Sequence, residues 1–445
     1  MFSIDTFDEA IKSFYEATDL DVKAVERREF MFSHQHRHKA FPSVDALREY
    51  AMQESPVSIT HSLARYFDPD RREPYATKGL DPKEHVRWGM DDKVHAGIDI
   101  GFDIDYDHLP NITSYRHGLE HARENAKRLY TFLTNDLAID PQYISIRFSG
   151  HRGFHMVVTD ESLLSMGTEE RANIENYVRG HDVHLSGFLH VSNHQGVWAN
   201  KKSQFQYRLY PNNVPGWGGL FTQTFIDMVN EYHSLPTDES RKQKLKDWTP
   251  IHQGSIKDST FKRPSFISEK TVKITDGVYK QIHEFLSNKY VLGQLSKDWA
   301  LSHHATAAGL KTTGLKHLIR MVIQQAQLTK GVEADAITKE LNRQLRLPGS
   351  LHTSSGMPCI IITYDMLNNL DLMFEHIRDA VGREMVEVVV KNECFVHVLD
   401  RQVAPGTYTV PLYEAYAIMC MDVKVEKEKA TTPTSEEVDA AAIDV

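Results

Sequence analysis

The stretch Val94-His95-Ala96-Gly97-Ile98-Asp99-Ile100-Gly101-Phe102-Asp103-Ile104-Asp105 decides the fold. Ala96, Ile98, Ile100, Phe102 and Ile104 recur at every second position, the period of a strand with one buried face. If those positions face a core, Asp103 and Asp105 share the opposite face. Their Cα atoms then stand roughly 6–7 Å apart, two strand steps of about 3.3 Å each. Carboxylates so spaced can bridge Mg²⁺ or Mn²⁺, hard cations that take oxygen ligands and keep positions open for water and phosphate. The spacing alone decides little, because Asp19/Asp21 and Asp68/Asp70 repeat it. What separates Asp103/Asp105 is the end of a strongly patterned strand; a solvated strand end is the alternative. On the same face, Asp99 reads as a structural acid at a buried edge and Asp107 as an acid outside the pair.

Working outward, Leu119, Ala122, Ala126, Leu129 and Leu133 predict an amphipathic helix over 118–136. Strands follow at YISIRFSG (143–150) and GFHMVV (153–158). Strand, helix, strand, strand predicts an α+β sheet with helices on one face. Further helices are predicted at Thr6–Tyr15, around Val44, Leu47 and Ala51, and at 277–290, 313–328 and 336–346, with alternating strands over 384–412. The expected organisation is one catalytic region over 1–423, interrupted by a large insertion at about 180–330. From about Lys424 the chain has few large apolar groups and several acids, the composition of a disordered tail.

The chain of 445 residues, with 41% hydrophobic and 25% charged content, can bury a core of ordinary size. No stretch approaches the roughly 20 apolar residues of a membrane span. The N-terminus is acidic and amphipathic, unlike a signal peptide. Three cysteines are too few and too scattered for a disulfide framework or a four-thiolate zinc site, which points to a reducing cytoplasm. A formal net charge of −10 speaks only weakly against a nucleic-acid partner, since basic residues can gather on one surface.

The second constellation is Arg147-Phe148-Ser149-Gly150-His151-Arg152-Gly153-Phe154-His155. Its two glycines tighten a turn and let backbone N–H groups approach a ligand. Ser149, Arg152 and His155 add a hydroxyl, a fixed cation and an imidazole, a set able to hold a triphosphate. An ordinary hairpin with exposed polar residues is the alternative.

Asp103-Ile104-Asp105 followed by SGHRGFH resembles the first two signature motifs of the archaeo-eukaryotic primase superfamily. The third resembles Asp335-Ala336-Ile337-Thr338 with Arg343-Gln344-Leu345-Arg346-Leu347-Pro348-Gly349-Ser350-Leu351-His352. Arg28-Glu29-Phe30 is similar to the family's upstream Arg-Glu-Phe block. Within the superfamily the chain is most similar to the small subunit of archaeal replicative primases. The resemblance implies the primase catalytic fold and template-directed synthesis of short primers on single-stranded DNA from NTPs or dNTPs. It implies Asp103, Asp105 and Asp335 as the Mg²⁺- or Mn²⁺-binding catalytic triad. Ser149, Arg152 and His155 would hold the incoming nucleotide's phosphates, with Arg346 and His352 as a further basic pair and Arg28 as a phosphate-contacting arginine. A large iron–sulfur subunit is the implied partner. Read from the residues alone, Asp335 is also a sound N-cap for a helix carrying Ile337, Leu341 and Leu345, with Arg346 at its C-terminus.

The chain departs from the family in one respect. The cysteine-rich zinc knob near the first two motifs has no counterpart in the cysteine-free connection 108–133, so no structural zinc is expected. His117 and His121 read as a solvated helix face, and SHQHRH (33–38) likewise. The missing knob hints at a divergent cellular lineage or a virus- or plasmid-encoded relative. Trp198, Tyr207, Tyr210 and Trp217, near Lys201, Lys202 and Arg208, suit either a template-binding surface or an aromatic mini-core. Three rival functions stand: a self-sufficient primase-polymerase, a non-catalytic nucleic-acid-binding subunit with the same fold, and a metal-dependent nuclease, which could use the clustered acids without a basic triphosphate pocket.

Overall fold

A computed structural model describes residues 2–3, 7–32, 37–71, 93–107, 112–194, 204–249, 275–336 and 342–431. These fall into two compact units. The first comprises 1–127, 140–172 and 334–445, and the second 128–139 and 173–333.

The first unit is built on a five-stranded sheet. In chain order its strands are β1 (Ile100–Asp105), β2 (Ile144–Phe148), β3 (Gly153–Val158), β4 (Asp335–Ala336) and β5 (Ile360–Ile362). Their spatial order is β4-β1-β3-β2-β5, every neighbouring pair antiparallel. One face supplies the core. Phe102, Met156, Ile146 and Ile362 form one buried cross-strand row, and Ile104, Phe154 and Phe148 the next. This is the alternation visible in the sequence, and each row removes large apolar side chains from water at about 25 cal/mol per Å². A long helix, α1 (Tyr115–Thr131), connects β1 to β2 and ends in a π turn, Phe132–Asp136.

Mixed α and β elements agree with the α+β expectation, and most predicted elements are present. The helices at Phe7–Ala17, Val44–Glu54, Asp276–Ser287 and Thr312–Lys330 and the strands between Met385 and Pro411 lie where the hydrophobic periods put them.

Three details differ. The strand expected across 94–105 breaks at Asp99: His95–Ile98 pairs with Ala64–Tyr66, and only β1 belongs to the central sheet. The helix expected at 336–346 is absent from its described residues; Asp335–Ala336 is β4, and Gln344–Arg346 is a strand paired with Thr60–Ser62. Pairing to partners far away in sequence overrides the local helical spacing, and residues 337–341 lie outside the described part. Finally, residues 424–431, expected in a disordered tail, continue the helix α2 (Leu412–Thr431). Tyr416, Ile418 and Cys420 of α2 are buried, as are Val386, Val388 and Val390 of the strand Met385–Val390. The rest of the expected tail, 432–445, lies outside the described residues.

The second unit is mainly helical, with one antiparallel pair among its described residues, His190–His194 and Gln204–Arg208. Trp217 centres its aromatic core: its ring lies 5.5 Å from Phe132 and 5.7 Å from Phe188, and its Nε1 donates to the Tyr177 carbonyl at 2.7 Å. Tyr207 is also buried. Of the aromatic stretch, Trp217 belongs to a mini-core; Trp198, Lys201 and Lys202 lie outside the described residues. No helix among the described residues is long and apolar enough to cross a membrane.

Candidate active site

The register of the central sheet builds a row of polar residues. Asp335 stands opposite Asp103, Asp103 opposite His155, and His155 opposite Arg147. Directly opposite residues of antiparallel strands share a face, so Asp103, His155 and Arg147 project together. Asp335 enters the row through its backbone register. β1 alternates as its sequence demands, with Phe102 and Ile104 buried and Asp103 and Asp105 partly exposed. Asp103 is 39% exposed at its side chain, so a solvated cation can reach it. One oxygen of Asp105 accepts the Asp107 N–H at 3.0 Å, which turns the chain at the strand end. Carboxylate oxygens on one strand face suit Mg²⁺ or Mn²⁺ better than a soft, thiolate-seeking metal.

His155 Nε2 lies 3.6 Å from Asp103 Oδ1. Burial, followed by the charges of Arg346 and Arg147, holds its pKa well below that of a free imidazole. It is therefore a neutral ring at physiological pH. Its Nδ1 is buried without a hydrogen-bond partner among the described residues, a costly arrangement unless a ligand completes it.

Arg346 reaches the same place from the strand Gln344–Arg346. It donates to the Ser149 carbonyl at 2.9 Å and to Ser58 Oγ at 3.3 Å. Burial lowers its pKa, against the opposing influence of Cys359 and Asp103. Arg147, buried where Arg346 is partly exposed, hydrogen-bonds His61 Nε2 at 3.2 Å and Ser145 Oγ at 3.1 Å. His61 presents its Nδ1 to the Ser62 carbonyl at 3.0 Å, which leaves Nε2 as the acceptor for Arg147. Among the described residues neither guanidinium has a carboxylate within ion-pair range. Largely hidden cations with no carboxylate in ion-pair range favour an anionic ligand.

The turn between β2 and β3 closes the group. Ser149 Oγ accepts the N–H of Gly153 at 3.3 Å and of His151 at 3.5 Å. Gly153 must lack a side chain, since a Cβ there would sit 1.8 Å from the Ile104 carbonyl oxygen. Arg152 leaves the turn and pairs with Asp107 at 2.6 Å, at the surface end of β1. His352 packs its ring 4.7 Å from that of His151 and accepts the Ser354 N–H at 3.0 Å. Burial, then Arg346 and His151, hold His352 strongly neutral.

Arg28 lies beside Arg147 and His61, on which its charge acts, but it is committed to Asp99. Its guanidinium is buried in an ion pair with Asp99 and donates to the carbonyls of Lys23, Ser62 and Leu63. Asp99, 1% exposed and also held by Arg65 at 2.8 Å, is the structural acid expected at a buried edge. His117 and His121 lie on α1 with their Nε2 atoms 3.2 Å apart, and His38 Nδ1 is 3.0 Å from buried Glu29. His34 and His36 lie outside the described residues. Sequence reading passed over Arg147, although its place between apolar Ile146 and Phe148 in an alternating strand puts it on the face of His155.

The chain belongs to the DNA primase small subunit family, whose model matches residues 102–364. That span begins within β1 and ends just past β5, so all five strands fall inside or across it. Over most of its length the chain is similar to the DNA primase small subunit PriS of Methanosarcina acetivorans, at 27% identity over 406 residues, 87% of this chain and 86% of the relative. The PriS of Methanothrix thermoacetophila is 24% identical over 398 residues, 86% of this chain and 87% of its own. A shorter match, 38% identical over 171 residues, joins 36% of this chain to 49% of the PriS of Pyrobaculum arsenaticum.

Proposed function

We propose that this chain is the catalytic small subunit of a DNA primase, which joins nucleotides into short primers on a single-stranded DNA template. The observation that carries the reading is the row Asp335–Asp103–His155 on three adjacent strands. It brings together three motif positions far apart in sequence. Asp103, Asp105 and Asp335 would hold Mg²⁺ or Mn²⁺, which when bound supplies Lewis-acid activation of the attacking 3′-hydroxyl and charge for the leaving pyrophosphate.

The chain's own groups then have distinct tasks. Neutral His155 donates a hydrogen bond to a phosphate oxygen, and Arg346 supplies a fixed positive charge in a water-poor site. Arg152 exchanges Asp107 for the triphosphate, and Ser149 and His352 complete the cradle. No side chain forms a covalent bond to substrate. NTPs or dNTPs are the substrates, and a large iron–sulfur subunit is the proposed partner, in the cytoplasm of an archaeal or virus- or plasmid-bearing cell.

The test is incorporation of labelled NTPs and dNTPs on single-stranded DNA with Mg²⁺ or Mn²⁺, beside an Asp103→Ala/Asp105→Ala double variant. Product from the wild type alone supports the reading. Product from both, or from neither even with a primer supplied, sinks it.

A further inference from the structure

A chain of rings runs from solvent to the phosphate-side turn. Phe395 lies 5.1 Å from His397, His397 lies 6.2 Å from His151, and His151 lies 4.7 Å from His352, centroid to centroid. Tyr115 flanks His151 at 6.3 Å in a nearly parallel stack and donates its hydroxyl to the His151 carbonyl at 2.6 Å. The outer end of this chain is a hairpin, Cys394–Val396 paired with Arg401–Val403. Cys394, Val396 and Val403 are buried and anchor it, whereas Phe395 is turned outward, 39% exposed, opposite Gln402. An aromatic ring at that exposure on an anchored strand contributes little to the core it stands on.

We propose that exposed Phe395 is a stacking platform for a nucleobase, held edge to face by His397 and linked through His397 and His151 to the phosphate-binding turn. The proposal rests on the primase reading above. Two features select a nucleobase over an apolar peptide. The largest charges that bear on His151, besides His397, are those of Arg152, Arg346 and Lys424. In addition, the buried Nδ1 of His151 has no partner among the described residues. An exposed aromatic ring joined through His397 to a cation-flanked histidine offers a base a stacking face and places its phosphate in a positive field. The base belongs either to the DNA strand or to a free nucleotide; the π-face is common to both.

The experiment measures binding of a fluorescent single-stranded oligonucleotide to the full chain by anisotropy, for wild type, Phe395→Ala, Phe395→Trp and His397→Ala. An oligonucleotide of equal length with abasic sites serves as the control of equal charge. In parallel, the KM for the incoming nucleotide is determined at saturating template. Phe395→Ala is expected to weaken binding of the normal strand about 5- to 100-fold, the range of one base–aromatic stack. Phe395→Trp is expected to restore it, and the abasic strand to bind both proteins alike. A raised KM with unchanged strand affinity also supports the platform and makes the free nucleotide its source. Unchanged affinity and KM in Phe395→Ala, with incorporation intact, overturn the platform and leave the primase reading standing. A wild type that neither binds strands nor incorporates nucleotides removes both.

Discussion

Asp103 and His155 face one another across adjacent antiparallel strands, with Nε2 3.6 Å from the carboxylate oxygen. The pairing sets a water-accessible acid in the row against a buried neutral imidazole, with Arg147 opposite it on the next strand and the charges of Arg346 and Arg147 acting on it. A cation on the acids and an anion on the basic side would meet along this line. Holding both against one rigid sheet costs no reorganisation when substrate arrives.

Replacing Asp103 by Asn keeps the shape and removes the charge. Incorporation should fall by about 10²-fold or more, the scale of losing one preorganised electrostatic contact in a reacting site. Asp103 is partly exposed, so the thermal midpoint should stay within a few degrees of wild type. A variant that melts early would mean that the acid is structural.

Asp99→Ala should behave the opposite way. It strands Arg28 in a buried place and leaves Arg65 with exposed Glu161 as its partner, and breaking a buried pair from one side costs about 3–5 kcal/mol. The loss should appear as a lower urea midpoint, with the nucleotide KM of the surviving folded fraction unchanged. The same comparison tests Arg28. If it served phosphate directly, Arg28→Met would raise KM before it lowered stability.

The difference between Asp99 and Asp103 also marks what the sequence could show. Alternation from Ile98 to Ile104 made the strand and the exposed acid pair legible, because period-two burial is a local signal. The break at Asp99 was not legible, since it follows from arginines 71 and 34 residues away. Asp335 was misplaced for a related reason. Ile337, Leu341 and Leu345 have helical spacing, yet Leu345 is buried in a strand opposite His61. Motif resemblance grouped Asp335 with Asp103, residues that the register of β4 and β1 sets opposite each other, where periodicity placed it in a helix; it could not reveal that Arg28 is committed to Asp99.

Gly153→Ala tests the turn. The added methyl would overlap the Ile104 carbonyl oxygen, 1.8 Å away, directly beside Asp105. Backbone cannot yield as a flexible side chain would, so the β1–β3 register must open at its end. A cost of about 3 kcal/mol or more is expected, beyond ordinary overpacking. Incorporation should disappear, and hydrogen exchange at the β1 and β3 amides should quicken while the second unit's helices keep their protection. Wild-type exchange in β1 would show that the turn relaxes without disturbing the acids.

The buried imidazoles give the site a pH dependence with a definite sign. His61, His151, His155 and His352 all have pKa values lowered by burial first and neighbouring cations second, that of His151 to about 3. Below the free-imidazole value of about 6.5, the unfolded chain takes up protons that the folded chain refuses. Stability is therefore full above that value and is lost as pH falls through it, at up to about 1.4 kcal/mol per histidine per pH unit. For His151 the window runs from about 6.5 down to about 3. Exchange-derived stability of the β1–β3 amides should drop steeply from pH 6.5 to 5. His151→Gln should flatten that slope by close to one proton. An unchanged slope would mean that His151 takes up its proton in the folded protein as readily as in the unfolded one.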